Sequence, residues 1–149
     1  MSVFHNLLQL NPNQIPLEDF FTEIFTYLLK SNPSLMTDWL KEFNISEIDY
    51  DNAHISTQES FDAMYSHFSG SRPDIYVELA NERKKELVFV ECKIDSCEGH
   101  NQLKRYAEHL DNISNIDKGT LLYITRDYDK KNEIAIFKNC TNKDKLKNQ

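Results

Sequence analysis

The feature that most constrains this chain is an unbroken apolar run, residues 87–90, that leads directly into Glu91, Cys92 and Lys93. A run without alternation is typical of a central strand buried on both faces of a sheet. A charged turn over residues 81–85 precedes it. The sequence therefore predicts a sheet covered on both sides, with two charged residues at the end of a buried strand.

The pattern of apolar residues along the rest of the chain predicts an α/β fold. Helical spacing predicts helices over residues 16–29, 33–43 and 99–113. Strands are predicted over residues 45–57, 73–79, 87–93, 120–125 and 133–137, and residues 56–72 are expected to form a loop with one helical turn near residues 61–68. The second and third strands form an antiparallel hairpin, and a helical crossover makes the third and fourth parallel.

The length of 149 residues is that of one domain, which we assign to residues 1–137. Residues 138–149 are polar and rich in lysine, and we expect a frayed tail or the start of a region cut from a longer protein. The start of the chain lacks a signal-peptide pattern, and no apolar run has the length of a membrane span. The sequence thus predicts a soluble cytoplasmic protein without a membrane partner.

The net charge bears on binding to nucleic acid, and the cysteine content bears on the redox compartment of the protein. Seventeen basic and twenty-four acidic residues give a net charge of −7, so the chain as a whole does not attract nucleic acid. A phosphate-binding role would require a bound cation or a local basic patch. Three cysteines without framework spacing indicate free thiols in a reducing compartment.

The predicted hairpin brings charged residues together. A turn centred near Arg83 places Asp74 opposite the end of the buried strand, and one choice of register places it beside Glu91 and Lys93. Two carboxylates about 4 Å apart repel by roughly 4 kcal/mol at an effective dielectric of 20. A divalent cation such as Mg²⁺ would remove that cost. A cluster of ion pairs formed by the same three residues is an equally good interpretation of the spacing.

These residues also carry a family resemblance. Pro73-Asp74, sixteen further residues and Glu91-Cys92-Lys93 resemble the signature of the PD-(D/E)XK nuclease superfamily. Gln102 and Tyr106 are similar to the Gln-x-x-x-Tyr element found on the following helix in several of its families, and residues 17–23 resemble the first helix with its acidic ligand. The resemblance implies a restriction-endonuclease-like fold: a mixed central sheet with a helix-strand-strand-strand-helix-strand core, flanked by helices.

The resemblance further implies a role for each residue. Asp74 and Glu91 would bind Mg²⁺ or Mn²⁺ together with the backbone carbonyl of Cys92, and Lys93 would act on the attacking water or on the charge that develops at phosphorus. Gln102 would contact water or phosphate near the metal. The remaining assignments are Glu18 as the acid of the first helix, with Glu23 as the alternative, and Tyr106, Arg72 and Arg105 as residues that contact the substrate.

The function implied by the resemblance is metal-dependent hydrolysis of phosphodiester bonds, in DNA more readily than in RNA. A role in bacterial defence, repair or mobile elements, a homodimer, and specificity supplied by a partner are all compatible with it. The alternative function is a nuclease fold without turnover that binds nucleic acid or a protein. In a third interpretation, the charged residues only form ion pairs that stabilise an α/β domain.

Overall fold

A computed structural model describes residues 17–64, 67, 69–94 and 96–148. These residues form one five-stranded sheet in the order β1-β2-β3-β4-β5, with helices on both faces. The helices are α1 (Leu17–Ser31), α2 (Pro33–Glu42), α3 (Gln102–Asn112) and the short α4 (Glu133–Ile136), and the strands are β1 (Asn52–Thr57), β2 (Ile75–Ala80), β3 (Lys85–Lys93), β4 (Lys118–Thr125) and β5 (Leu146–Asn148).

The strand pairing has the predicted directions. Strands β1, β2 and β3 are antiparallel neighbours, and β3 and β4 are parallel because α3 forms the crossover between them. The helix-strand-strand-strand-helix-strand core expected from the sequence is therefore confirmed. Strand β3 is the central strand, and seven consecutive residues from Glu86 to Cys92 are buried, as the unbroken apolar run indicates.

The two faces of the sheet carry separate hydrophobic cores. Helices α1 and α2 cover one face, where Leu29, Trp39 and Leu40 pack against Val77 and Val88. Helix α3 covers the other face. There the core contains Phe89, Leu103, Tyr106, Leu110 and Leu121. Because side chains alternate along a strand, Glu91 and Lys93 belong to the same face as Phe89, which is the face under α3.

Two of the predicted strands differ from the observed structure. Residues 45–51 precede β1, which begins only at Asn52; Ile45 is fully buried, but its carbonyl oxygen accepts from the Lys118 ammonium at 2.8 Å instead of a strand neighbour. Residues 133–136 form helix α4, not a strand. The Asn132 side chain caps this helix by accepting from the Ala135 amide at 3.2 Å, a local contact that the alternation of apolar residues does not reveal.

Part of the lysine-rich segment that we expected to fray has regular structure. Leu146–Asn148 forms β5, which pairs in parallel with β4 at residues 119–121. The Asp111 carboxylate at the end of α3 accepts from the backbone amides of Thr141 and Asn142, at 2.9 and 2.8 Å. A short, lysine-bearing edge strand has little apolar signal, because exposed edges avoid apolar side chains.

The loop between β1 and β2 is folded back on itself. Phe61 and Ser71 form an isolated antiparallel bridge, with N–H···O distances of 2.8 and 3.0 Å in the two directions. A Cβ atom at Gly70 would collide with the Phe61 carbonyl oxygen, so only glycine fits beside this bridge. Residues 61–64 are not helical, and the rest of the expected helical turn, like Pro16, lies largely outside the described residues.

Candidate active site

The hairpin register brings the two carboxylates of the predicted motif together. Ile75 pairs with Val90, so Asp74, one residue before β2, faces Glu91 on β3. The Cys92 amide donates to Oδ2 of Asp74 at 2.7 Å, which fixes that carboxylate at the end of the hairpin. The structure has the register, considered in the sequence analysis, that places Asp74 beside Glu91.

Lys93 lies against Glu91 on the same side of the strand. Its ammonium nitrogen is 2.5 Å from Oε1 of Glu91 and 3.7 Å from Oε2 of Glu18. Glu91 is only 1% exposed, whereas the Lys93 side chain is 11% exposed. The lysine is thus the residue of this pair that solvent and a ligand can reach more easily.

Helix α3 supplies the hydrogen bonds that fix the position of the Glu91 side chain. Gln102, its first residue, donates through Nε2 to Oε1 of Glu91 at 2.7 Å and to the Tyr106 hydroxyl at 3.0 Å. The Gln102 oxygen accepts from the Gly99 amide at 3.0 Å, so both ends of the side-chain amide are engaged. The four-residue spacing puts Gln102 and Tyr106 on one face of the helix, as the sequence predicted.

Tyr106 is buried beneath the site. The ring is 1% exposed, and the hydroxyl donates to the Arg72 carbonyl oxygen at 2.7 Å. Burial, followed by the nearby Glu91 charge, raises the pKa of the Tyr106 hydroxyl, so it stays protonated. The Tyr106 hydroxyl thus links Gln102 to the chain at Arg72, and the direct contact with substrate that the resemblance implied for Tyr106 stays a prediction.

The first helix brings Glu18, not Glu23, toward the motif. Oε1 of Glu18 accepts from the Ile94 amide at 3.1 Å and from the Ser96 hydroxyl at 2.6 Å. The opposite oxygen lies near Lys93, whereas Glu23 is exposed. Glu18 thus fastens α1 to the segment that follows β3, and its role as a metal ligand stays a prediction.

Both carboxylates of the motif have pKa values above their usual range. Burial, and then the charge of Asp74, raises the pKa of Glu91 to about 7. Burial likewise raises the pKa of Asp74, with Glu18 and Asp19 adding to the effect. For Lys93, burial acts to lower the pKa, but the hydrogen bond and charge of Glu91 outweigh it, so the net pKa is raised. The carboxylates of Asp74, Glu91 and Glu18 all lie close enough to Lys93 to act on its charge, so acidic groups outnumber the lysine among these four residues.

The donor set fits a divalent cation of the magnesium type. Oε2 of Glu91 is buried without a hydrogen-bond partner, although the other oxygen accepts from both Lys93 and Gln102. Within the described ranges no group of three or more His, Cys, Asp or Glu side chains converges on one point. Mg²⁺ needs only one or two carboxylates, completed by carbonyl, water or phosphate oxygens.

The two arginines assigned to substrate contact differ in exposure. Arg72 is exposed and donates to the Gln58 side-chain oxygen, whereas the half-buried Arg105 donates to the carbonyl oxygens of Gly70 and His100, at 3.1 and 3.4 Å. Arg105 therefore supports the loop before Asp74. Gln58 was missed at the sequence level because the loop that carries it has no periodic pattern.

A cavity of about 610 Å³ opens beside Lys93, at the carboxyl ends of β3 and β4. Because Glu91 pairs with Tyr123 and Lys93 with Thr125, these β4 side chains share the face of the motif. Lys131 joins the two walls of the cavity, since its ammonium is 2.9 Å from Glu98 and 2.8 Å from Asp129. The volume is in the range of small-ligand sites.

The cysteines take no part in this arrangement as thiols. Cys92 and Cys140 are buried, Cys97 is exposed, and all three are free. Burial raises the pKa of the Cys92 thiol to about 12, which keeps it neutral.

None of the helices in the described part of the chain combines the length and the apolar character that crossing a membrane requires.

Comparison with known proteins gives one match. A family model described as the PD-(D/E)XK nuclease superfamily matches residues 14–146, nearly the whole chain. The matched region contains every element from α1 to the first residue of β5. No curated protein and no solved structure matches the chain.

Proposed function

The chain belongs to the PD-(D/E)XK nuclease superfamily, and on that premise we propose that it is a Mg²⁺- or Mn²⁺-dependent nuclease that hydrolyses phosphodiester bonds, most readily in DNA. Nucleases of this superfamily generally use divalent metals. The observation that carries the proposal is the juxtaposition of Asp74, Glu91 and Lys93, in which two carboxylates with raised pKa values share a site with a single ammonium group.

The metal would be held by Asp74 and Glu91, with the Cys92 carbonyl as a further oxygen ligand. A bound divalent cation lowers the pKa of water and stabilises negative charge on a phosphate. The unpartnered Oε2 of Glu91 supports this assignment, because a buried carboxylate oxygen without a donor is costly unless a cation neutralises it.

Lys93 supplies the positive charge that is not a metal ligand. Its ammonium donates to Glu91 and lies between that residue and Glu18, so its direction is fixed before substrate arrives. In that position it can orient the attacking water or stabilise the charge that develops on the phosphate oxygens. Preorganised donors of this kind need no reorganisation during the reaction.

The remaining residues keep these groups in place. Gln102 donates to the same Glu91 oxygen that accepts from Lys93. Gln102 also donates to the Tyr106 hydroxyl, which in turn donates to the Arg72 carbonyl oxygen. The exposed Arg72 side chain is the residue that we assign to the phosphate backbone. Glu18 joins the first helix to the chain after Lys93 and serves either as an additional acid or as an anchor.

A second candidate is a fold that binds nucleic acid without cleaving it. The observation in its favour is Glu18, whose carboxylate is engaged by two donors and by Lys93 and is thereby less available to a metal. The net charge of −7 also provides no general attraction to a phosphate backbone. The two candidates differ in turnover, so a cleavage assay separates them.

The decisive test is a panel of single-stranded, duplex and branched DNA together with RNA, each incubated with Mg²⁺, Mn²⁺ or EDTA. We expect cleavage of at least one DNA substrate with metal and none with EDTA. The Asp74→Asn/Glu91→Gln double variant should be inactive and should show no heat of Mn²⁺ binding in calorimetry. Binding of Mn²⁺ without cleavage of any substrate would favour the non-cleaving candidate, and the absence of both would refute the proposed site.

A further inference from the structure

The residue that follows β1, Gln58, has a backbone conformation that its type rarely adopts. Its φ is 53°, in the left-handed region. The other two non-glycine residues with positive φ among those described are Asn44 and Asn101, and asparagine tolerates this conformation through its short polar side chain. Glutamine has no such advantage, so the conformation of Gln58 is strained. Strain of this kind persists where the surrounding structure and a function over-determine it.

The side chain of Gln58 connects two charged residues at the site. Its Nε2 donates to Oδ1 of Asp19 on α1 at 3.0 Å, and its Oε1 accepts from the Arg72 guanidinium. The amide thus presents its donor to a carboxylate and its acceptor to a cation, which fixes its orientation without ambiguity. The Gln58 backbone amide also donates to the Asp74 carbonyl at 3.0 Å, so the bridge is built on the residue that carries the motif.

Arg72 is consequently held at both ends. The Tyr106 hydroxyl binds its carbonyl oxygen, and Gln58 binds its guanidinium group. An exposed arginine normally loses considerable rotamer freedom when it engages a phosphate. Because Gln58 restricts the guanidinium beforehand, less of that freedom remains to be lost on binding.

We propose that Gln58 is a positioning residue that orients Arg72 toward the phosphate backbone of the nucleic-acid substrate. The inference rests on the proposed function, because it deepens the substrate contact of the same site. The strained backbone of Gln58 is retained since a residue that relaxes it, glycine, would remove the amide bridge. Arg72 touches the substrate, whereas Gln58 acts through Arg72.

The test compares Gln58→Gly with Asn44→Gly. Both replace a non-glycine residue at nearly the same φ, but Asn44 is exposed at the end of α2 and is not part of the site. Binding of a fluorescein-labelled DNA duplex and of the matching single strand is measured by anisotropy in EDTA, so that no cleavage occurs. The melting temperature of each variant shows whether it is folded.

We expect Gln58→Gly to keep the wild-type melting temperature within about 3 °C, since relief of strain offsets the greater freedom of glycine in the unfolded chain. Its DNA affinity should fall by roughly three- to tenfold, the cost of ordering one rotamer-rich side chain only on binding. The slope of log K against log salt should change little, because Arg72 keeps its charge and its phosphate contact. Asn44→Gly should change neither the affinity nor the slope.

Two further variants complete the design. Arg72→Ala should lower the affinity by at least as much and should also make the slope shallower by about 0.9, the value for one phosphate contact to duplex DNA. The Gln58→Gly/Arg72→Ala double variant should bind no more weakly than Arg72→Ala alone, because Gln58 acts through Arg72. Gln58→Asn tolerates the left-handed backbone, but its side chain is one methylene too short to reach Arg72. It should therefore show the affinity expected for Gln58→Gly, and it serves as the test if the glycine variant does not fold.

The outcomes separate this inference from the proposed function. Wild-type affinity in Gln58→Gly or Gln58→Asn, alongside weakened binding in Arg72→Ala, would overturn the positioning role and leave the nuclease proposal intact. Additive losses in the double variant would also overturn it. Failure of the wild-type protein to bind any nucleic acid in this assay would overturn this inference, while the cleavage panel with metal decides the proposed function separately.

Discussion

The charge on Glu91 provides the most direct test of the site, because it can be removed with little change in shape. Glu91 is 1% exposed, and its pKa is raised from 4.5 to about 7 by burial and by the charge of Asp74. A raised folded-state pKa means that the folded protein binds the proton more tightly than the unfolded chain. Stability is therefore full below pH 4.5 and is lost as the pH rises toward 7.

The size of the effect follows from the pKa difference. A shift from 4.5 to about 7, at 1.36 kcal/mol per pH unit, corresponds to about 3 kcal/mol. Glu91→Gln is neutral at every pH, so in EDTA it should be more stable than wild type by about 3 kcal/mol at pH 8 and by under about 1 kcal/mol at pH 5. For a chain of 149 residues the gain at pH 8 corresponds to roughly 6–12 °C in melting temperature.

The assay is urea or thermal denaturation of both proteins at pH 5 and pH 8, with EDTA present. Asp111→Asn is the matched control, because it should show the opposite sign. Burial acts to raise the pKa of Asp111, but hydrogen bonds from Thr141 and Asn142 outweigh it and lower the pKa below 3.8. This control should be destabilised at pH 5 and pH 8 alike, and its deficit should disappear only as the pH falls below about 4.

A bound divalent cation should stabilise the folded protein through the same carboxylates. A cation at 100 times its dissociation constant stabilises the folded protein by about 2.7 kcal/mol. Millimolar Mg²⁺ or Mn²⁺ should therefore raise the melting temperature of wild type at pH 8 and have little effect on Glu91→Gln. If Glu91→Gln is destabilised equally at pH 5 and pH 8 in EDTA, the Glu91–Lys93 ion pair stabilises the fold, and the reasoning from excess negative charge is wrong.

Three further predictions concern single residues. Lys93→Met should reduce cleavage by about 100-fold or more while calorimetry still detects Mn²⁺ binding, because it removes a donor and not a ligand; wild-type cleavage by this variant would exclude the site. Gln102→Ala should lower cleavage by an intermediate factor, about tenfold, since it leaves the Glu91 oxygen with Lys93 alone, and kinetics with metal would measure this. Gly70→Ala should destabilise the protein by about 1–3 kcal/mol in urea, because its Cβ meets the Phe61 carbonyl, and an unchanged midpoint would contradict that close contact.

The sequence by itself determined the central strand and the motif at its end. The apolar run before Glu91 can be buried on both faces only if other elements cover both sides of the sheet. The period-two alternation of side chains puts Glu91 and Lys93 on one face. The spacing of Gln102 and Tyr106 similarly placed both on one side of α3. These are local relations, because they depend on helix and strand periods that any chain obeys.

Local contacts between polar side chains and the backbone were not predictable from periodicity. Residues 133–136 alternate like a strand, yet Asn132 caps them into a helix. Leu146–Asn148 has almost no apolar signal, and it becomes a strand because Asp111 fastens the preceding turn and β4 offers an unpaired edge. In both cases a hydrogen bond acts together with packing of Ile136 or Leu146 on the core under α3.

Only the tertiary structure decided which residues from distant segments join the site. The sequence left the hairpin register open, and the pairing of Ile75 with Val90 selected the one that sets Asp74 beside Glu91. The sequence favoured Glu18 over Glu23 but did not fix the rotation of α1, because that rotation depends on how α1 packs against the sheet. Gln58 was invisible for the same physical reason: its contacts with Asp19 and Arg72 span 39 and 14 residues, and such contacts exist only once the chain has folded.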